Sequence, residues 1–197
     1  MVTSYAIAHL LRDRMPFCWK QIERTNAVVF RCCYARKLKQ VEQEAFEMAL
    51  PFIMERISDL PTMDLVEFFH AQPAETYRWF TPHGFSEEDV AKLQNNKSFL
   101  GYVLKRDGKI VGYFFLRSYF NGSCYFGRLV DHQSINQGVG TLINKLSFFI
   151  SESLHMRSYQ TIAGNNIASI KSCAKAYRLR PIGITATGDT LYQNCRL

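Results

Sequence analysis

Between Ser98 and Leu154 the chain switches from one hydrophobic period to another across a glycine-bearing segment, and this switch limits the available folds more than any other feature of the sequence. Phe99 to Lys105, Ile110 to Leu116 and Cys124 to Val130 are apolar runs of strand length, rich in aromatic and β-branched residues. Asp107-Gly108 can adopt the positive φ values of a two-residue hairpin turn, and Asn121-Gly122 offers a second such turn. A three-stranded antiparallel meander is predicted. Directly after it, Val139, Leu142, Ile143, Leu146, Phe149 and Ile150 recur at helical offsets, which predicts an amphipathic helix from about Gly138 to Leu154 that opens at a glycine-rich turn.

The pattern continues with a short strand at Tyr159 to Ala163, the turn Gly164-Asn165-Asn166, and a helix from Ile167 to Tyr177 for which Asn165 or Asn166 supplies an N-cap oxygen. Ile182 to Ala186 and Thr190 to Cys195 read as closing strands around Gly188-Asp189. Upstream, Leu60 to Ala71 and Ser86 to Leu93 read as helices. The second opens on Ser86-Glu87-Glu88-Asp89, whose acids suit the positive end of the helix dipole, and Pro82-His83-Gly84 between the two is a loop. Residues 1–50 read mostly as helix, interrupted by the apolar run Ala27-Val28-Val29-Phe30; no repeat or low-complexity linker separates them, so they form an extension packed on the domain of residues 51–197.

With 197 residues, 47% hydrophobic and 21% charged, the chain can fill one core, which excludes a disordered or collagen-like polymer. Its formal charge of +7 favours an anionic partner, but the basic residues are scattered from Arg12 to Arg196, so a solvated basic surface is a better reading than a nucleic-acid stripe. None of the six cysteines is spaced as a CxxC pair, which argues against a metal or redox centre. Met1 to Leu11 has no basic segment ahead of its apolar residues and no stretch has the apolar length of a membrane span, so a reducing cytoplasm is expected.

The element order gains meaning from two motifs. Leu129 and Val130 end a strand and are followed by Ile135-Asn136-Gln137-Gly138-Val139-Gly140-Thr141, where glycines let a backbone approach a ligand and the N–H groups of a starting helix point at diphosphate oxygens. The second motif is Asn166-Ile167-Ala168-Ser169-Ile170-Lys171-Ser172-Cys173-Ala174-Lys175. Together they resemble the GNAT N-acetyltransferases, over roughly residues 52 to 197. The resemblance implies the α+β GNAT acyl-CoA N-acyltransferase fold: a central mixed, mostly antiparallel sheet flanked by helices, here with a helical N-terminal extension. It further implies acetyl-CoA as acetyl donor, a primary amine of a small acceptor, no nucleic-acid or membrane partner, and admits a homodimer. The implied donor-binding residues are Leu129, Val130, Ile135, Asn136, Gln137, Gly138, Val139, Gly140, Thr141, Asn166 and Ser169. The sequence departs from the family pattern where Ile135 replaces Gln or Arg, where Cys173 replaces the Tyr that protonates the departing thiolate, and where Tyr177-Arg178 replaces Gly-Phe.

Acetyl transfer to an amine needs a neutral amine near the thioester, a route for its proton, and donors for the carbonyl oxygen. The resemblance places the oxygen donor in backbone near Val130 and requires no side-chain nucleophile. Among Asp131, His132, His83 and His70, His83 and Asp131 rank first as base because the loop between the first two helices walls the acceptor site in the family, and Cys173 is either the acid or a buried, inert thiol. Tyr77, Trp79, Phe80 and Phe85 form that wall or pack the core. The helical extension and Tyr77-Arg78-Trp79-Phe80-Thr81-Pro82-His83 resemble family members of bacterial surface-polysaccharide biosynthesis, which suggests an amino-sugar acceptor. The competing class is a non-catalytic acyl-CoA-binding or regulatory module, which Ile135 and Cys173 favour.

Overall fold

The computed structural model describes residues 16–197, so the readings made for Met1 to Leu11 lie outside the described residues. The elements are α1 (Pro16–Met48), β1 (Ile53–Arg56), α2 (Thr62–His70), α3 (Glu87–Asn95), β2 (Phe99–Arg106), β3 (Lys109–Tyr119), β4 (Ser123–Val130), α4 (Val139–Ser153), β5 (Arg157–Ile162), α5 (Ile167–Ala174), β6 (Arg178–Ile184) and β7 (Thr190–Cys195), with short 3-10 turns at Ile57–Asp59, Ala74–Arg78 and His132–Ser134. The strands form one sheet in the order β1-β2-β3-β4-β5-β7-β6. Every neighbouring pair is antiparallel except β4 and β5.

Both faces of the sheet are covered, which explains why β2 and β3 read as nearly unbroken apolar runs rather than alternating ones. Leu100, Tyr102, Leu104, Phe114 and Leu116 pack with Ile143, Leu146 and Ile150 of α4 and with Phe30, Val41 and Ala45 of α1. Their strand neighbours Phe99, Val103, Tyr113 and Phe115 turn to the opposite face and pack with Leu65, Val66 and Phe69 of α2 and Val90 of α3. The predicted hairpin at Asp107-Gly108 is present, with φ of 52° and 76°. The second turn differs: only Gly122 has positive φ, and the loop spans three residues because Tyr119 pairs with Ser123. Asn121 serves instead through its Oδ1, which accepts from the Ser123 N–H.

The N-terminal segment also departs from expectation. Ala27 to Phe30 does not interrupt a helix; it lies within one continuous α1, where Phe30 faces the core and Val28 faces water. Two buried polar residues fix this helix to the sheet. Asn26 donates from Nδ2 to the Ser118 carbonyl and accepts from the Phe120 N–H. Glu42, 2% exposed, accepts from Arg56 and from the Tyr102 hydroxyl, so its charge is paired where burial alone would be costly. Two boundaries near the C-terminus shift as well: α5 ends at Ala174 and β6 begins at Arg178, because β6 is an edge strand that tolerates Pro181 with a local register shift.

Candidate functional site

β4 and β5 run parallel for only three residues, Ser123 to Tyr125 against Arg157 to Tyr159, and then part. The Asp131 N–H donates to the Val111 carbonyl, so the alternation of a strand turns the backbone of Leu129 and Gly127 toward β3 and that of Val130, Arg128 and Phe126 toward the gap. Those groups need a partner other than β5. The gap widens into a cleft of about 860 Å³, bounded by Phe126 to Val130 of β4, Gln160 to Ile162 of β5 with Ala163 after it, the start of α4, one side of α5, and the segment Thr76 to Thr81.

At the mouth, Gly138 caps α4 with φ 84° and no side-chain hydrogen bond, and a Cβ built on it would meet nothing within 4 Å. A left-handed residue without a side chain thus leaves the first-turn N–H groups of α4 open toward the cleft. Gly140 is constrained differently: a Cβ there would stand 3.4 Å from Ser172 Oγ and 3.4 Å from Val130 Cγ2, so its bareness allows α4 to approach β4 and α5. Asn166 caps α5, its Oδ1 accepting from the Ser169 N–H, as the sequence predicts.

Nine of the residues implied as donor contacts line this cleft: Leu129, Val130, Ile135, Asn136, Gly138, Gly140, Thr141, Asn166 and Ser169. Gln137 and Val139 do not. Gln137 Oε1 accepts from Arg106 and its amide donates to the Gln133 carbonyl, while the Val139 side chain is 1% exposed in the core, which leaves only its backbone at the loop.

The three residues implied as catalytic are outside the cleft lining. His83 lies behind Phe80, half-buried among Phe69, Phe85, Phe115 and Tyr113. Its Nδ1 faces the Gly84 carbonyl at 2.8 Å and must donate there; its Nε2 then accepts from the Tyr113 hydroxyl at 3.0 Å. Burial lowers its pKa to about 4, so the ring is neutral at pH 7. The Asp131 carboxylate caps the 3-10 turn after β4, accepting from the Gln133 N–H and the Ser134 hydroxyl, and also takes a hydrogen bond from Gln72. Cys173 is fully buried; its thiol donates to Gln160 Oε1, and its sulfur accepts from the Tyr177 hydroxyl at 3.3 Å and from Arg128 at 3.7 Å. Tyr177 is itself buried, which raises its pKa, and it accepts from Gln160.

Arg128 is the residue that the sequence motifs do not identify. It reaches from β4 to α5, donating to the Ser169 hydroxyl at 3.0 Å and to the Ser169 carbonyl at 3.4 Å. Its signal was the period-two pattern: Cys124, Phe126 and Val130 share its face, so a charged side chain falls on an inward position. On the opposite wall Trp79 is 41% exposed, with the Arg78 guanidinium 4.8 Å from its ring centre.

A scan of protein-family models found no match to the chain, and a search of curated proteins found none. The search of solved structures did find similar folds. The GNAT domain of S. lividans PAT superposes with a TM-score of 0.62 over 72% of this chain and 89% of that one, at 13% identity. Aminoglycoside acetyltransferase AAC(6')-Ib, in complex with coenzyme A and kanamycin, gives 0.56 over 74% and 94% at 14% identity. Mycobacterium smegmatis RimJ, in complex with CoA-disulfide, gives 0.54 over 72% and 83% at 14% identity. The chain has the GNAT fold.

Proposed function

We propose that this chain is an acetyl-CoA-dependent N-acetyltransferase that acts on the primary amine of a small acceptor. The observation that carries the reading is the parting of β4 and β5 with the bare Gly138 cap of α4 at its mouth. This arrangement fits an elongated donor with a diphosphate at one end: α4 N–H groups for the phosphates, then the unpaired backbone of Val130, Arg128 and Phe126 for the arm that follows. The donor supplies an activated acetyl thioester, and the protein supplies orientation, exclusion of bulk water and N–H groups for the carbonyl oxygen. With Cys173, Asp131 and His83 engaged elsewhere, the amine proton leaves through cleft water.

The acceptor enters along Thr76 to Thr81, where the half-exposed Trp79 and the buried Phe80 line the cleft. An amino sugar is the acceptor class that we propose, supported by the kanamycin complex of AAC(6')-Ib. The absence of His83, Asp131 and Cys173 from the lining favours a second reading, an acyl-CoA-binding module without turnover.

The test is thermal unfolding with acetyl-CoA, followed by release of free thiol with amino sugars, polyamines, amino acids and peptides. Ligand at 100 times its Kd stabilises by about 2.7 kcal/mol, which for a chain of this size raises Tm by about 5 to 10 °C. No shift at millimolar acetyl-CoA refutes both readings; a shift without thiol release selects the module.

A further inference from the structure

Arg128 combines three properties that no other cation at the cleft shares. It lines the gap, it is half-buried, and its guanidinium is held in place by Ser169 and Cys173 rather than by an acid. Among the described residues no ion pair involves it. Arg78, Lys171 and Lys175 are exposed on the rim, where water screens them. A fixed, partly desolvated cation without a counter-charge is suited to an anion that arrives with a ligand or forms during a reaction.

The position along β4 indicates which. A donor anchored by its phosphates at α4 and running along the unpaired backbone passes Val130 first and Arg128 next, about 7 Å farther in at 3.3 Å per residue. The acceptor wall meets the strand at the same level: a Cβ built on Gly127 would stand 3.5 Å from the Phe80 ring. Donor arm and acceptor wall therefore meet at the level of Phe126 to Arg128, with Phe80 on one side of the parted strands and the guanidinium on the other. Cys173 stands behind Arg128, fully buried, and cannot meet the donor directly.

Resting on the acyl-transfer reading, we infer that Arg128 is a catalytic residue whose guanidinium stabilises the donor sulfur as it departs as a thiolate. The amine nitrogen forms a bond to the thioester carbon, the tetrahedral adduct collapses, and the C–S bond breaks with its electron pair on sulfur. The amine proton passes to cleft water, and the thiolate rests against Arg128 until solvent protonates it on release. No protein acid is then required, in keeping with the enclosed position of Cys173.

A binding experiment tests this without turnover. The Kd of reduced CoA and of desulfo-CoA, which lacks the thiol, is measured from pH 6 to 9.5 with the whole protein. An ordinary thiol ionises near 8.5, and a neighbouring cation brings that lower. CoA should tighten by about tenfold relative to desulfo-CoA as pH rises through 8, and Arg128→Gln should abolish this tightening while binding desulfo-CoA as before. If Arg128→Gln does not fold, Arg128→Met takes its place with the same expected loss, and parallel curves in the wild type refute the inference without any variant. Parallel pH curves for the two ligands in the wild type, or tightening that survives in Arg128→Gln, overturn the inference. So does an Arg128-dependent preference for malonyl-CoA over acetyl-CoA, which would assign the guanidinium to an acyl carboxylate. Binding of neither CoA nor desulfo-CoA removes the acyl-transfer reading itself and this role with it.

Discussion

His83 offers a perturbation whose size follows from its surroundings. The fold lowers its pKa from 6.5 to about 4, chiefly because its aromatic neighbours strip water from the charged ring. The unfolded chain therefore binds one more proton than the fold between those two values, and stability rises with pH across that window. At pH 7 the ring is neutral in both states and no penalty exists; as pH falls through 6.5 the penalty grows, and it levels off below about 4. At 1.36 kcal/mol per pH unit its ceiling is about 3.4 kcal/mol, and because one side of the ring still meets water, about 2 kcal/mol is the expected value. For a chain of this size that is a Tm difference of about 4 to 8 °C. His83→Gln removes the titration and can still pair with the Tyr113 hydroxyl. Thermal unfolding of wild type and variant in steps from pH 7.5 to 4 should show the wild type losing this margin relative to His83→Gln, with carboxylate titrations common to both cancelling. Parallel curves would refute the account of burial. The same variant addresses catalysis: with both ring nitrogens already hydrogen-bonded, His83→Gln should keep acetyl transfer within about tenfold, whereas loss of a true general base costs about 10²-fold or more.

Two further outcomes are expected. Gly138→Ala places its methyl in open space, so folding suffers only the cost of a left-handed L-residue, about 1 to 2 kcal/mol, while CoA affinity measured by calorimetry should fall at least about tenfold; unchanged affinity would reduce the loop to a simple turn. Cys173→Ala should lower kcat by less than about 100-fold with KM for acetyl-CoA nearly unchanged, because the thiol is enclosed by Gln160, Tyr177 and Arg128; a larger loss with CoA binding intact would make Cys173 the acid.

What the sequence disclosed and what it concealed divide along a physical line. Local chemistry was legible: the Asp107-Gly108 turn, the Ser86 and Asn166 caps, and the stripe from Val139 to Ile150 each depend on contacts within a few residues, and each is present. Pairing over long distance was not. β1 is four residues at the sheet edge, without an alternation long enough to distinguish from loop, and it exists because Ile53 to Arg56 lie against Tyr102 to Lys105. The extent of α1 was obscured because Ala27 to Phe30 resembles a strand locally, whereas its burial follows helix geometry set by Ser118 and the sheet.

The same division explains the site. The glycine loop announced itself because a helix start opened by glycine is a local device, and Ile135, Asn136, Gly138, Gly140 and Thr141 of it line the cleft. The cleft proposed as the reacting centre depends on a non-local fact, that β4 and β5 pair through Tyr125 and Tyr159 and no farther. Nothing in the composition of either strand states this, since the residues beyond the last pair are as apolar as those before it. Arg128 is the exception: an inward-facing charge is tolerable on β4 only because the neighbouring strand has turned away and Ser169 stands close enough to receive its N–H groups. The parted strands and the inward charge are therefore one feature, since a fully paired β5 would have closed the space that the guanidinium occupies.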